Sequence, residues 1–261
     1  MTDVLGLDVS DRVATVTLDR PAARNALDRE LRRALRRTMH DLDGDDSVDV
    51  VILTGADPAF CAGLDLKELA STTGASIEAL AVEASSPQQQ GPFPPIGKPV
   101  IGAVNGAAIT GGFELALRCD LLVASERAAF ADTHARVGIM PGWGLTVLLP
   151  QAIGVRRARE MSATGNFVDA ETARAWGLVN HVVPHDELLP YCRRLAADIV
   201  SNDQRAVRRI LRTYADGALV SAGEAWQLEA TVARDWQGGG LDPDAIRARR
   251  AAVTERGRSQ V

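Results

Sequence analysis

Three short and almost unbroken apolar runs, DVVILT (49–54), PVIGAV (99–104) and LLVAS (121–125), constrain this chain most. The continuous run DVVILT is typical of a covered strand, and the other two supply further strands. RVATVTLD (12–19) alternates instead, as a half-buried strand does. Between it and DVVILT, Leu27, Leu31, Leu35, Met39 and Leu42 recur at helical spacing, which predicts an amphipathic helix with Asp28 capping its start and Gly44 at its exit. Strand, helix and strand in this order make an α/β fold.

Beyond Gly154 the pattern turns helical, with segments over 155–164, 170–176, 186–200, 203–214 and 221–236, interrupted by a strand in LVNHVV (178–183). The expected organisation is an α/β core over residues 1–200 followed by a helical region over 201–261. Residues 71–97 mix a short helical stretch with clustered Ser, Pro, Gln and Gly and are expected to form a mobile insertion over a site.

With 261 residues, 46% of them hydrophobic, the chain can bury a large core. A net charge of −5 supplies no basic field for nucleic acid, and the arginine-rich run RELRRALRR (29–37) reads as a solvated helix face. No apolar run approaches the roughly 18 residues of a membrane span, and the start lacks a secretory pattern, so a cytoplasmic protein is expected. Cys61, Cys119 and Cys192 are odd in number and widely spaced, unlike a disulfide framework. His181 and His185 straddle a strand end and Pro184, so no metal site is expected.

NGAAITGGFELALRCD (105–120) places one carboxylate, Glu114, in a small and apolar segment. Burying an unpaired carboxylate costs several kcal/mol, so Glu114 needs either a partner, for which Arg118 one turn later is available, or a chemical use. Gly111 and Gly112 precede the apolar run FELAL as the start of a helix, where exposed backbone amides hold an oxyanion. Three residues on, Glu114 returns to the same face. A second loop, AFCAGLDLKEL (59–69), follows DVVILTG and offers another backbone amide near Ala62, Gly63 and Leu64.

These two stretches, together with RPAARNAL (20–27), closely resemble the crotonase (enoyl-CoA hydratase/isomerase) superfamily, and ARAWGLVNHVVP (173–184) resembles its WGLV turn. The resemblance implies a crotonase-like core of repeated ββα turns with a C-terminal helical trimerisation region. It implies a homotrimer or a dimer of trimers, an acyl-CoA thioester as substrate, and no cofactor apart from the CoA that the substrate carries. Matched residue by residue, the oxyanion donors are the amides of Leu64 and Gly111, and Glu114 is similar to the first catalytic glutamate of the hydratases. CoA contacts fall on Arg24, Ala26, Ala62, Gly63, Asp65 and Leu66, with Gly112 also binding substrate and Trp143 narrowing the acyl pocket. The activity implied is addition of water across the 2,3 double bond of a trans-2-enoyl-CoA.

One position departs from the family pattern. Where hydratases carry a second glutamate in a phrase similar to F-G-x-P-E, this chain reads FADTH (130–134), with His134 in the glutamate's place. An imidazole donates or accepts a proton near neutral pH, so Glu114 and His134 can share base and acid roles. The same substitution keeps open another acyl-CoA reaction (isomerisation, hydrolysis or decarboxylation) or a binding protein with little turnover.

Overall fold

Two sheets build the core of the computed structural model, which describes residues 4–71, 91–239 and 243–259. The first carries β1 (Leu5–Ser10), β2 (Val13–Leu18), β3 (Val50–Gly55), β5 (Val100–Val104), β7 (Leu121–Ser125) and β10 (His181–Val183), hydrogen-bonded in that order. Only the β1–β2 pair is antiparallel. The second carries β4 (Ala59–Cys61), β6 (Ala107–Ile109), β8 (Ala129–Ala131) and β9 (Val168–Asp169), parallel except between β8 and β9.

The chain visits both sheets in turn and then makes a helix. β3 and β4 lead to α2 (Leu66–Ser71), β5 and β6 to α3 (Gly111–Leu117), and β7 and β8 to α4 (His134–Val137), giving three ββα turns. The apolar runs are explained by this layering. Val51, Leu53 and Val104 face the main core, where α1 (Arg29–Asp43) contributes Leu31, Leu35, Met39 and Leu42. Val50, Ile52, Ile101 and Ala103 point the other way, onto Leu188, Cys192 and Ala196 of α8 (Leu188–Val200). β3 is therefore buried along its whole length, whereas β1 is exposed from Leu7 to Ser10. As expected, Asp28 caps α1 by accepting from the Leu31 N–H at 2.8 Å, and Gly44 ends it.

The remaining helices are α5 (Leu145–Ile153), α6 (Val155–Thr164), α7 (Ala170–Trp176), α9 (Gln204–Gly217), α10 (Ala222–Gly238) and α11 (Pro243–Ser259). The strand expected over 178–183 contracts to His181–Val183, because Leu178 and Val179 turn into the main core. Of the insertion expected over 71–97, residues 72–90 lie outside the described residues. The three cysteines are free thiols.

The chain divides into two compact units, Met1–Arg208 and Arg209–Val261. In the second, Ser221 and Glu224 form a reciprocal capping box at the start of α10, and Tyr214, Leu219, Trp226 and Val253 are exposed large apolar side chains.

Candidate active site

β4, β6 and β8 are parallel neighbours, so the segments leaving their C-terminal ends lie side by side. These segments are the Ala62–Gly63–Leu64 turn, the Thr110–Glu114 start of α3 and the Asp132–His134 start of α4. Ligand sites in parallel α/β sheets gather at such ends.

The first two segments touch. Gly63 has φ +90°, and a Cβ built on it would lie 2.8 Å from Ile109 O and 3.3 Å from Gly111 N. A Cβ on Gly111 would lie 3.6 Å from Leu64 N. Neither the Leu64 nor the Gly111 amide donates to an acceptor among the described residues. Thr110, the single residue between β6 and α3, has φ 54° and ψ −114°, a conformation that β-branched residues rarely adopt. It is held by its N–H bond to Ala131 O at 2.9 Å and by its hydroxyl, 2.5 Å from that of Thr133. The strained turn thus ties the Gly111 amide to the residue preceding His134.

Glu114 is buried, and its carboxylate does not pair with Arg118. Oε1 accepts the Trp143 N–H at 2.7 Å and the Leu145 N–H at 3.4 Å, at the start of α5. Oε2 lies 3.5 Å from His134 Nε2. The other ring nitrogen, Nδ1, is 2.6 Å from Asp132 Oδ1, which also accepts the His134 backbone N–H at 3.2 Å. Burial alone would lower the His134 pKa, but the bonds to Asp132 and Glu114 outweigh it and raise it to about 9. Burial would likewise raise the Asp132 carboxyl, yet its bonds to His134 and Ser162 hold it below its ordinary value. At neutral pH the site therefore presents an imidazolium between two carboxyl side chains.

Trp143 is almost fully buried, with Cζ3 3.1 Å from the Cβ position of Gly111, so its ring walls the space beside that amide. Gly112 packs its Cα against the Cys61 backbone of β4. The other anticipated residues form a contiguous edge. Ala62 N donates to Arg24 O at 3.0 Å, and Leu27 N donates to Gly63 O at 2.7 Å, joining the first motif to the second loop. Arg24 is exposed in the left-handed region, Ala26 is buried, and Leu66 is exposed. Asp65 directs its carboxylate to Arg20 at 3.1 Å and to the Lys67 amide at the start of α2, also at 3.1 Å. Beside this edge, between α1 and α2, opens a groove of ≈ 580 Å³ whose lining mixes the bases Arg29, Arg33, Arg37 and Lys67 with the acids Asp28, Glu30, Asp65 and Glu68.

Two contributors lay beyond the sequence reading. Asp132 stood inside the quoted FADTH, and its spacing of two from His134 after a strand was the available signal. Arg20 binds Asp28 and Asp65 and donates to Ala26 O, bracing the first two motifs; nothing in its local sequence marks that.

Residues 8–237 match the enoyl-CoA hydratase/isomerase family. The chain belongs to the enoyl-CoA hydratase/isomerase family. It is 41% identical over 230 residues to a probable peroxisomal enoyl-CoA hydratase of Arabidopsis thaliana, covering 88% of this chain and 85% of the relative. A crotonyl-CoA hydratase of Syntrophomonas wolfei is 33% identical over 225 residues, 86% of either chain. Among solved structures, an enoyl-CoA hydratase from Mycobacterium tuberculosis superposes with a TM-score of 0.75 at 51% identity, covering 89% of this chain and 98% of that one. One from Bacillus anthracis gives 0.86 at 32% identity, covering 97% and 96%. The ββα core described above is the fold of this family.

Proposed function

We propose that this family member hydrates a trans-2-enoyl-CoA thioester, with Leu64 and Gly111 as oxyanion donors, Glu114 as base and His134 as acid. The observation that carries it is the meeting of two free backbone amides beside the buried side chains of Glu114 and His134. Polarisation of the thioester oxygen by the two amides makes C3 electrophilic. Glu114 Oε2 takes a proton from water, the oxygen bonds to C3, and the π pair moves to give an enolate whose charge rests on the thioester oxygen. C2 then takes the proton of His134 Nε2. Glu114 returns its acquired proton to the imidazole across the 3.5 Å gap, restoring both groups. Atoms and charge balance, no redox partner is needed, and the only CoA involved is the substrate's own.

Arg24 and the Ala62–Gly63–Asp65–Leu66 turn would bind CoA, with Ala26 supporting that edge and Arg24 placed to meet phosphate. A homotrimer or dimer of trimers, in which exposed Tyr214 and Trp226 find cover, and residence in the cytoplasm belong to the same proposal. No described helix is long and apolar enough to cross a membrane, and the names of relatives include peroxisomal and mitochondrial proteins.

Purified protein mixed with short trans-2-enoyl-CoA thioesters is expected to bleach the conjugated-thioester absorbance and yield the 3-hydroxyacyl product by mass. An intact CoA thioester of unchanged mass over a range of chain lengths would sink hydration. His134 favours a second reading, a different reaction through the same enolate, and acid, isomeric or decarboxylated products would reveal it.

Trp143→Ala is expected to shift the kcat/KM ratio of long over short acyl chains upward by about tenfold, since pocket-filling methylenes are each worth roughly 1–3 kcal/mol. The Trp143 amide to Glu114 is retained in this variant. An unchanged ratio would remove Trp143 from the acyl wall.

A further inference from the structure

We infer that Asp132 is a positioning residue: by binding both Nδ1 and the backbone N–H of His134, it locks the ring with Nε2–H aimed at Glu114 and makes His134 the proton donor to C2. The inference rests on the hydration reading above.

The geometry leaves the ring one comfortable state. Asp132 Oδ1 at 2.6 Å accepts from Nδ1, so Nδ1 carries a proton. Nε2 faces a second carboxylate oxygen, Glu114 Oε2, and presenting a lone pair to it would set two acceptors against each other. Both nitrogens therefore carry protons. The charged groups facing the ring are Asp132, leaving β8, and Glu114, from α3. Ser162 of α6 bonds Asp132, and Arg136, on the ring's own helix, is turned away to Thr164 O and Asn166. A ring flip would break the Nδ1 bond to Asp132, whose Oδ1 is held in place by the His134 backbone N–H.

The chemical consequence is a division of labour that two carboxyl groups achieve less readily. Two adjacent carboxylates resist joint ionisation, so one must be protonated to act as acid. Here the acid is cationic, and its charge offsets that of Glu114. Loss of the His134 proton in alkali should remove the donor, so activity should persist to about pH 9 and fall above it.

The test pairs Asp132→Asn with the wild type. Asparagine keeps the shape and one acceptor but removes the charge. Two readouts are needed: kcat and KM for a short trans-2-enoyl-CoA across neutral and alkaline pH, and the ¹⁵N titration of the His134 ring, assigned with His134→Gln. The variant is expected to lower both the alkaline limb and the ring midpoint by about one unit or more, the usual influence of a close opposite charge. kcat near neutrality should fall about tenfold or more, with KM little changed. A merely structural role would lower thermal stability without moving either midpoint, and that result overturns the inference. So does a wild-type ring that titrates at or below about 6.5, the ordinary histidine value, a measurement that stands even if the variant does not fold. A wild type inert toward enoyl thioesters would sink hydration itself. An active wild type whose limb and ring midpoint are unmoved in the variant would sink the Asp132 assignment alone.

Discussion

Glu114→Gln is expected to lower kcat for enoyl-CoA hydration by about 10³-fold, within the usual range for loss of a general base. Glutamine is the informative replacement because its carbonyl oxygen can still accept the Trp143 and Leu145 amides, so the α5 turn keeps its anchor. Its NH₂ then faces the His134 ring, where Oε2 stands 3.5 Å from Nε2. It can neither take a proton from water nor return one to the imidazole. KM should change little, since the CoA-facing edge and the oxyanion amides are untouched. Glu114→Ala would confuse the result by leaving two amides without their acceptor, a burial cost of about 1–3 kcal/mol each. Initial rates followed by thioester absorbance, with circular dichroism as the folding control, decide the matter. A variant within tenfold of wild type would end the assignment of Glu114 as base.

Gly112→Ala is expected to cost at least about 3 kcal/mol and to abolish activity in whatever protein still folds, at the upper end of ordinary overpacking. A Cβ there would lie 2.1 Å from Cys61 O and 2.7 Å from Cys61 C. These are backbone atoms of β4, which pairs with β6 through Cys61 and Ala108, so they have nowhere to retreat. The helix would have to lift instead, taking the Gly111 amide and Glu114 with it. Gly111→Ala is the control, because its Cβ would meet chiefly the Trp143 ring edge, at 3.1 Å, and a side chain can yield. Denaturant midpoints should place Gly112→Ala far below both wild type and Gly111→Ala. Equal midpoints for the two alanine variants would contradict the close approach of α3 to β4.

Family membership and ββα architecture were legible in the order of three motifs, and the main strands and α1 in their apolar patterns. Those signals are local: a covered strand is an unbroken apolar run, and Asp28 reaches Leu31 only three residues away. The second sheet gave no such signal of its own. β4, β6 and β8 are three residues each, too short for any periodicity, and pairing with neighbours across tens of residues is what makes them strands.

By itself, the sequence determined that a carboxylate would sit beside glycines in an apolar segment, and that a histidine would close the FADTH stretch, where the resemblance to hydratases implies a second glutamate. Only the tertiary structure decided the company they keep. Glu114 takes its two amides from residues 29 and 31 positions onward, and its ring partner comes from the end of another strand. Even Asp132, two positions from His134, acquires its meaning from burial, which strips water from the pair and leaves each group to be satisfied by the other. Hydrogen bonds between residues distant in the chain cost backbone ordering that no local segment can offset, so they become readable only once the sheets have closed around them.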